Sequence, residues 1–135
     1  MTFTLKYGRG KGVREQKITN PSPEMIEQTI KELLPGLDYY IVFQSEPPVN
    51  NYAYIQTAIE RWDDKPEIKY MVEVNVKSDE NFTQYRKYIK DENEVKRLFR
   101  MFALEKTPDV TDWKDVTEEI KNLPDLETQR KNAKR

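Results

Sequence analysis

Residues 68–77 read IKYMVEVNVK, and their strict alternation decides the fold class. Ile68, Tyr70, Val72, Val74 and Val76 point one way, and Lys69, Met71, Glu73, Asn75 and Lys77 the other. A period of two residues is the mark of a strand with one face on a core. Asp63-Asp64-Lys65-Pro66 precedes it and Ser78–Asn81 follows, both turn compositions. A further strand is expected over Phe82–Ile89. Upstream, residues 52–62 (YAYIQTAIERW) suit a strand, although Ala58–Trp62 is also compatible with a helix. Residues 39–43 (YYIVF) form a continuous apolar run, expected as a strand covered on both faces. Glu46-Pro47-Pro48-Val49-Asn50-Asn51 is expected as a rigid polar loop.

At the N-terminal end, residues 2–7 (TFTLKY) alternate again, and Val13–Ile18 makes a weaker strand. Gly8, Gly10 and Gly12 between them predict a hairpin with a mobile tip. The glycines do not make a phosphate loop, because the Lys-Ser/Thr ending and following helix are missing.

Two stretches switch to helical periodicity. Met25, Ile26, Ile30, Leu33 and Leu34 form one stripe, with Ser22 as N-cap, Pro23 at the first position and Pro35-Gly36 as the stop, predicting a helix over 23–34. Val95, Leu98, Phe99 and Phe102 form another, begun by Asp91 with Glu94 in capping-box spacing and ending near Leu104. Val110 and Trp113 look like anchors that dock the following chain. After Pro124 the apolar residues nearly vanish. The expected fold is α+β: a mainly antiparallel meander sheet of about five to six strands with two helices packed on it. Residues 1–120 are expected to form a single domain and residues 121–135 a frayed polar tail.

Composition narrows function. The chain has 135 residues, 36% hydrophobic and 35% charged, with 15 aromatic residues, enough to build one lean core. It has no Cys and no His, which removes thiol chemistry, zinc–thiolate sites and the commonest general base. Neither a secretory signal nor an apolar run of about 20 residues is present, so a cytoplasmic location is expected. The net charge of −1 gives no global basic field for nucleic acid, but its distribution is uneven. Residues 21–67 carry a net of −6, against +4 for residues 1–20. Asp63-Asp64 lacks the ligand spacing of a calcium loop. Tyr85-Arg86-Lys87-Tyr88 interleaves aromatic and basic residues as single-strand nucleic-acid binders do. Alternation prevents Tyr85 and Tyr88 from sharing a face, so one is expected to be exposed.

The segment Val95-x-x-Leu98-Phe99-x-x-Phe102, followed by Thr107-Pro108-Asp109-Val110-Thr111-Asp112-Trp113, resembles the close of the first-numbered immunity-protein family of bacterial polymorphic toxin systems. Members of that family end in an aromatic-containing helix, a short polar turn, a Pro, an apolar residue and a Trp. The resemblance covers residues 20–116 as architecture and 95–113 as motif. The Gly-rich hairpin and the chain after Glu119 depart from it. It implies a cytoplasmic protein that binds a cognate toxin C-terminal domain tightly, commonly a nucleic-acid-targeting one such as a deaminase or nuclease. The implied role needs no catalytic residue, metal, cofactor or small-molecule substrate. A basic toxin cleft would suit the acidic stretch 21–67. The expected contact residues are therefore Glu46, Asn50 and Asn51 in the stiff loop, Trp62, Asp63 and Asp64 in the next turn, and Tyr85 and Tyr88. The alternative is a non-catalytic nucleic-acid-binding or regulatory domain. An enzyme built on carboxylates and tyrosines is a third reading.

Overall fold

The computed structural model describes residues 1–9, 14–36, 39–61 and 68–122. Seven strands form one antiparallel sheet: β1 (Thr2–Arg9), β2 (Gln16–Thr19), β3 (Tyr39–Val49), β4 (Tyr52–Arg61), β5 (Ile68–Ser78), β6 (Asn81–Ile89) and β7 (Lys114–Asp115). The order across the sheet is β2-β1-β3-β4-β5-β6-β7. Three helices accompany it: α1 (Pro23–Lys31), α2 (Glu92–Ala103) and α3 (Thr117–Asn122). The α+β class and the helix-on-sheet packing stand. Among the described residues the count rises to seven strands and three helices, because β7 and α3 are too short to carry a periodic signal.

Local chemistry sets the boundaries. Ser22 caps α1, its hydroxyl accepting from the Met25 N–H at 3.2 Å, and Pro23 occupies the first turn. The helix closes at Glu32, short of the expected Leu34. Of its apolar stripe, Ile26 and Ile30 are buried, Leu33 packs against the core margin, and Met25 and Leu34 are exposed. Asp91 caps α2 by accepting from Asn93 N–H at 2.9 Å. Glu94 does not complete the capping box, because Arg97 holds its carboxylate in a two-pronged contact at 2.6 and 3.0 Å.

The segment Glu46–Asn51 is not a polar loop. β3 continues through it to Val49, with a register irregularity between Gln44 and Val49, and the Glu46–Pro47 peptide is cis. Only Asn50 and Asn51 turn, both at positive φ, as a two-residue hairpin of this twist requires. β3 is not covered on both faces either. Ile41, Phe43 and Ser45 are buried, while Tyr40, Val42 and Gln44 are only half-buried.

The core lies between one face of the sheet and the α1–α2 layer. Leu5, Ile41, Phe43, Ile55, Val72 and Val74 rise from the strands to meet Ile26, Ile30, Val95, Leu98, Phe99 and Phe102. Phe43 is its centre, stacked on Phe3 at 5.3 Å and on Phe99 at 6.2 Å, with Phe102 edge-on at 5.6 Å. All four positions of the α2 stripe are buried, as its spacing predicts. Trp113 is buried in the same core and Val110 packs against it. These two residues pull the chain back along β6, where β7 pairs with Tyr85 and Arg86.

Candidate functional site

Because side chains alternate along a strand, the residues that do not feed the core collect on the opposite face. The register aligns them in rows. Val42, Gln56, Glu73 and Arg86 form one row across β3, β4, β5 and β6; Gln44, Tyr54, Asn75 and Gln84 form the next; Ala58, Met71 and Tyr88 form a third. Among the described residues, α3 leans over the β6 margin of this face, and no helix crosses the rest of it. Arg86 Nη1 reaches Glu119 at 2.9 Å, and Lys121 lies 5.5 Å above the Phe82 ring.

The face is held by a closed polar network. Glu73 Oε1 accepts from Gln56 Nε2 at 2.9 Å and from Gln84 Nε2 at 2.8 Å, while its Oε2 accepts from Arg86 Nε at 2.6 Å. Gln84 Oε1 accepts from Asn75 Nδ2 at 2.9 Å and from the Tyr54 hydroxyl at 3.2 Å. Glu73, Asn75 and Gln84 are buried. Burial works against the charge on Arg86, but hydrogen bonds and charge from Glu73 and Glu119 outweigh it and hold its pKa above the ordinary value. Burial pushes the Tyr54 hydroxyl up as well, with Gln84 opposing. The desolvation cost of Glu73 offsets much of the attraction it gains. What remains is orientation: each amide and the guanidinium are fixed by their partners.

Among the described residues, the expected contacts do not converge. Glu46 is exposed on β3, opposite Thr2, and Asn50 and Asn51 are exposed at the β3–β4 turn. Trp62, Asp63 and Asp64 lie outside the described residues. Tyr88 is 45% exposed on the open face, its hydroxyl 3.5 Å from Glu60. Tyr85 is on the core face opposite Val74, packed against the core.

Among the described residues, the acidic run does not form one patch either. Glu24, Glu27 and Glu32 belong to α1 and its cap, on the helix side, whereas Glu46 and Glu60 belong to strands β3 and β4. On the open face Lys69 stands opposite Glu60 and Arg86 opposite Glu73, so charges interleave. The cations of 85–88 are paired too: Arg86 with Glu73 and Glu119, and Lys87 with Asp112 at 3.2 Å. No cluster of three metal-ligating side chains occurs among the described residues.

No protein family, curated protein or solved structure matches the chain. Tyr54, Gln56, Glu73, Asn75 and Gln84 were not among the expected contacts, and Arg86 entered only through the segment 85–88. Alternation placed Glu73 and Asn75 away from the core, which reads as solvent. The signal that finds them is the register of the β5–β6 hairpin. Ser78 pairs with Asn81 across a two-residue turn, and five positions further along each strand Glu73 meets Arg86.

Proposed function

We propose that the protein is a non-catalytic binding protein of the immunity type, which neutralises a cognate toxin domain by covering its active cleft with the open face of the sheet. The observation that carries this reading is the preorganised face itself. Tyr54, Gln56, Met71, Arg86 and Tyr88 lie on three neighbouring rows of one surface, and the Glu73 network locks the amides and the guanidinium. Tyr, Met and Arg are the residue types that interfaces favour. Ordering them in advance lowers the entropy cost of association. A standard interface takes about 800 Å² from each partner, which a face of this many strands can supply.

The resemblance of residues 95–113 to the immunity family supports the same reading. There α2 and Trp113 act as scaffold, buried on the far side of the sheet. The partner proposed is the C-terminal domain of a toxin that attacks nucleic acid, met in the cytoplasm of the producing cell. Because the open face mixes charges, shape and hydrogen bonding carry recognition rather than an acidic field.

The test is to produce the chain together with the toxin domain encoded beside its gene. The expected result is a stoichiometric complex without toxin activity. Absence of a complex, or a complex in which the toxin remains fully active, would remove this reading.

A further inference from the structure

The helix side of the molecule holds a groove of about 210 Å³ between the start of α1, the end of α2, β1 and β3. Its apolar walls are Phe3, Ile26, Phe43, Ala103 and Leu104 together with Pro21 and Pro23, and its polar lining is Asn20, Glu27, Lys96 and Arg100. Leu104 is 63% exposed at the rim, an apolar side chain left in water beside an apolar hollow.

We propose that this groove is a binding site for a small aromatic carboxylate, with one ring in the hollow and its carboxylate over Lys96 and Arg100. Size sets the ring. An apolar cavity of about 150 Å³ is enough for benzene, and drug-sized ligands need about 300 Å³ or more. A volume of 210 Å³ therefore fits one ring with a short side chain. The faces of Phe3 and Phe43 offer stacking and edge contacts.

Charge sets the head group. Lys96 and Arg100 are one helical turn apart on α2, so two cationic heads stand side by side at the rim, each facing one carboxylate. Both cations keep donors to spare. Arg100 uses one terminal nitrogen on Glu27, and Lys96 meets Glu92 at 3.1 Å. A guanidinium has five N–H donors and an ammonium three. The Asn20 carboxamide oxygen is engaged by the Phe3 backbone, accepting from its N–H at 3.0 Å. This site lies across the sheet from the face proposed to bind the toxin and does not depend on that reading.

The experiment titrates the full chain with phenylacetate and, separately, with the neutral phenylacetamide, following backbone amide shifts. The expected result is saturable shifts at Phe3, Ala103 and Leu104, with the acid bound at least fivefold more tightly than the amide. Arg100→Gln should weaken the acid about fivefold and leave the amide unchanged. Leu104→Trp, an exposed position that leaves the core intact, should block both. Equal affinity for acid and amide, shifts confined to other regions, or no shift at millimolar ligand would each overturn the proposal.

Discussion

Arg86 Nε sits 2.6 Å from Glu73 Oε2 across strands β5 and β6, with side chains 15% and 2% exposed, on the face of the sheet turned away from α1 and α2. The carboxylate also holds two glutamines, so this one pair fixes the central row of the open face. Removing the cation strands a buried anion, whereas removing both removes the desolvation cost as well. Arg86→Met should therefore lower unfolding free energy by about 3 kcal/mol, and adding Glu73→Leu should recover most of that loss. Urea denaturation of the two single variants and the double variant measures it. A loss below about 1 kcal/mol for Arg86→Met would mean that water satisfies Glu73.

Phe99 tests the core. Its ring is fully buried and nearly parallel to Phe43, with an 11° angle between planes. Phe99→Ala should cost about 3–5 kcal/mol by lost transfer energy and the cavity left behind. Met25→Ala on the exposed side of α1 should stay within about 0.5 kcal/mol. Comparable losses from the two variants would show that the helix stripe does not define the core.

Thr57 is a stabilising opportunity. It lies between Ile41 and Val72 on the core face, 1% exposed, and its Oγ1 has no hydrogen-bond partner among the described residues. A buried hydroxyl without a partner costs its desolvation energy, and valine has the same shape without that cost. Thr57→Val should raise stability by about 1 kcal/mol in the same denaturation assay. A loss of stability would show that the hydroxyl is satisfied, for instance by a bound water.

Burial, followed by the charge and hydrogen bond of Glu92, pushes the Tyr70 hydroxyl up to about 12 from 10.0. In the unfolded chain this tyrosine ionises near pH 10, so its contribution to stability is complete below pH 10. That contribution falls as pH rises from 10 to 12, where the folded form also ionises. Tyr52, Tyr54 and Tyr88 shift in the same direction, each through burial first, so they add to the effect. Stability measured against pH should decline through this window, and Tyr70→Phe should make the decline shallower. An unchanged slope in Tyr70→Phe would place the alkaline sensitivity elsewhere.

The elements whose physics is local were legible in the sequence. The alternation of residues 68–77, the Ser22-Pro23 start and the Val95–Phe102 stripe each depend on neighbours within a few residues, and each appears as read. The continuation of β3 through Pro47-Pro48 was not legible, because adjacent prolines read as a loop, and the pairing on either side of them comes from β1 at Glu46 and from β4 at Val49. Helix α3 escaped notice because its stability comes from docking. The Val116 N–H bonds to the Gln84 carbonyl at 2.8 Å, and the Gln84 N–H to Thr117 Oγ1 at 2.9 Å. The polar face was hidden for a different reason. A glutamate alternating with valines looks solvated until the two flanking strands set an arginine and two glutamines around it. Likewise, an acidic run in sequence became charges on two sides of a sheet, since a helix and two strands share that run.

The central claim is that the open face of the sheet is the toxin-binding surface. The most direct measurement is calorimetric titration of the cognate toxin domain with Met71→Arg, at a half-buried position between Ala58 and Tyr88, and with Arg97→Glu on the exposed side of α2 as a control. Interface hot spots are worth about 2 kcal/mol or more, about 30-fold in Kd. The account predicts that Met71→Arg weakens binding by at least that factor with an unchanged unfolding midpoint, while Arg97→Glu binds as the parent does. Parental affinity in Met71→Arg, together with loss of binding in Arg97→Glu, would contradict it and move the interface to the helix side.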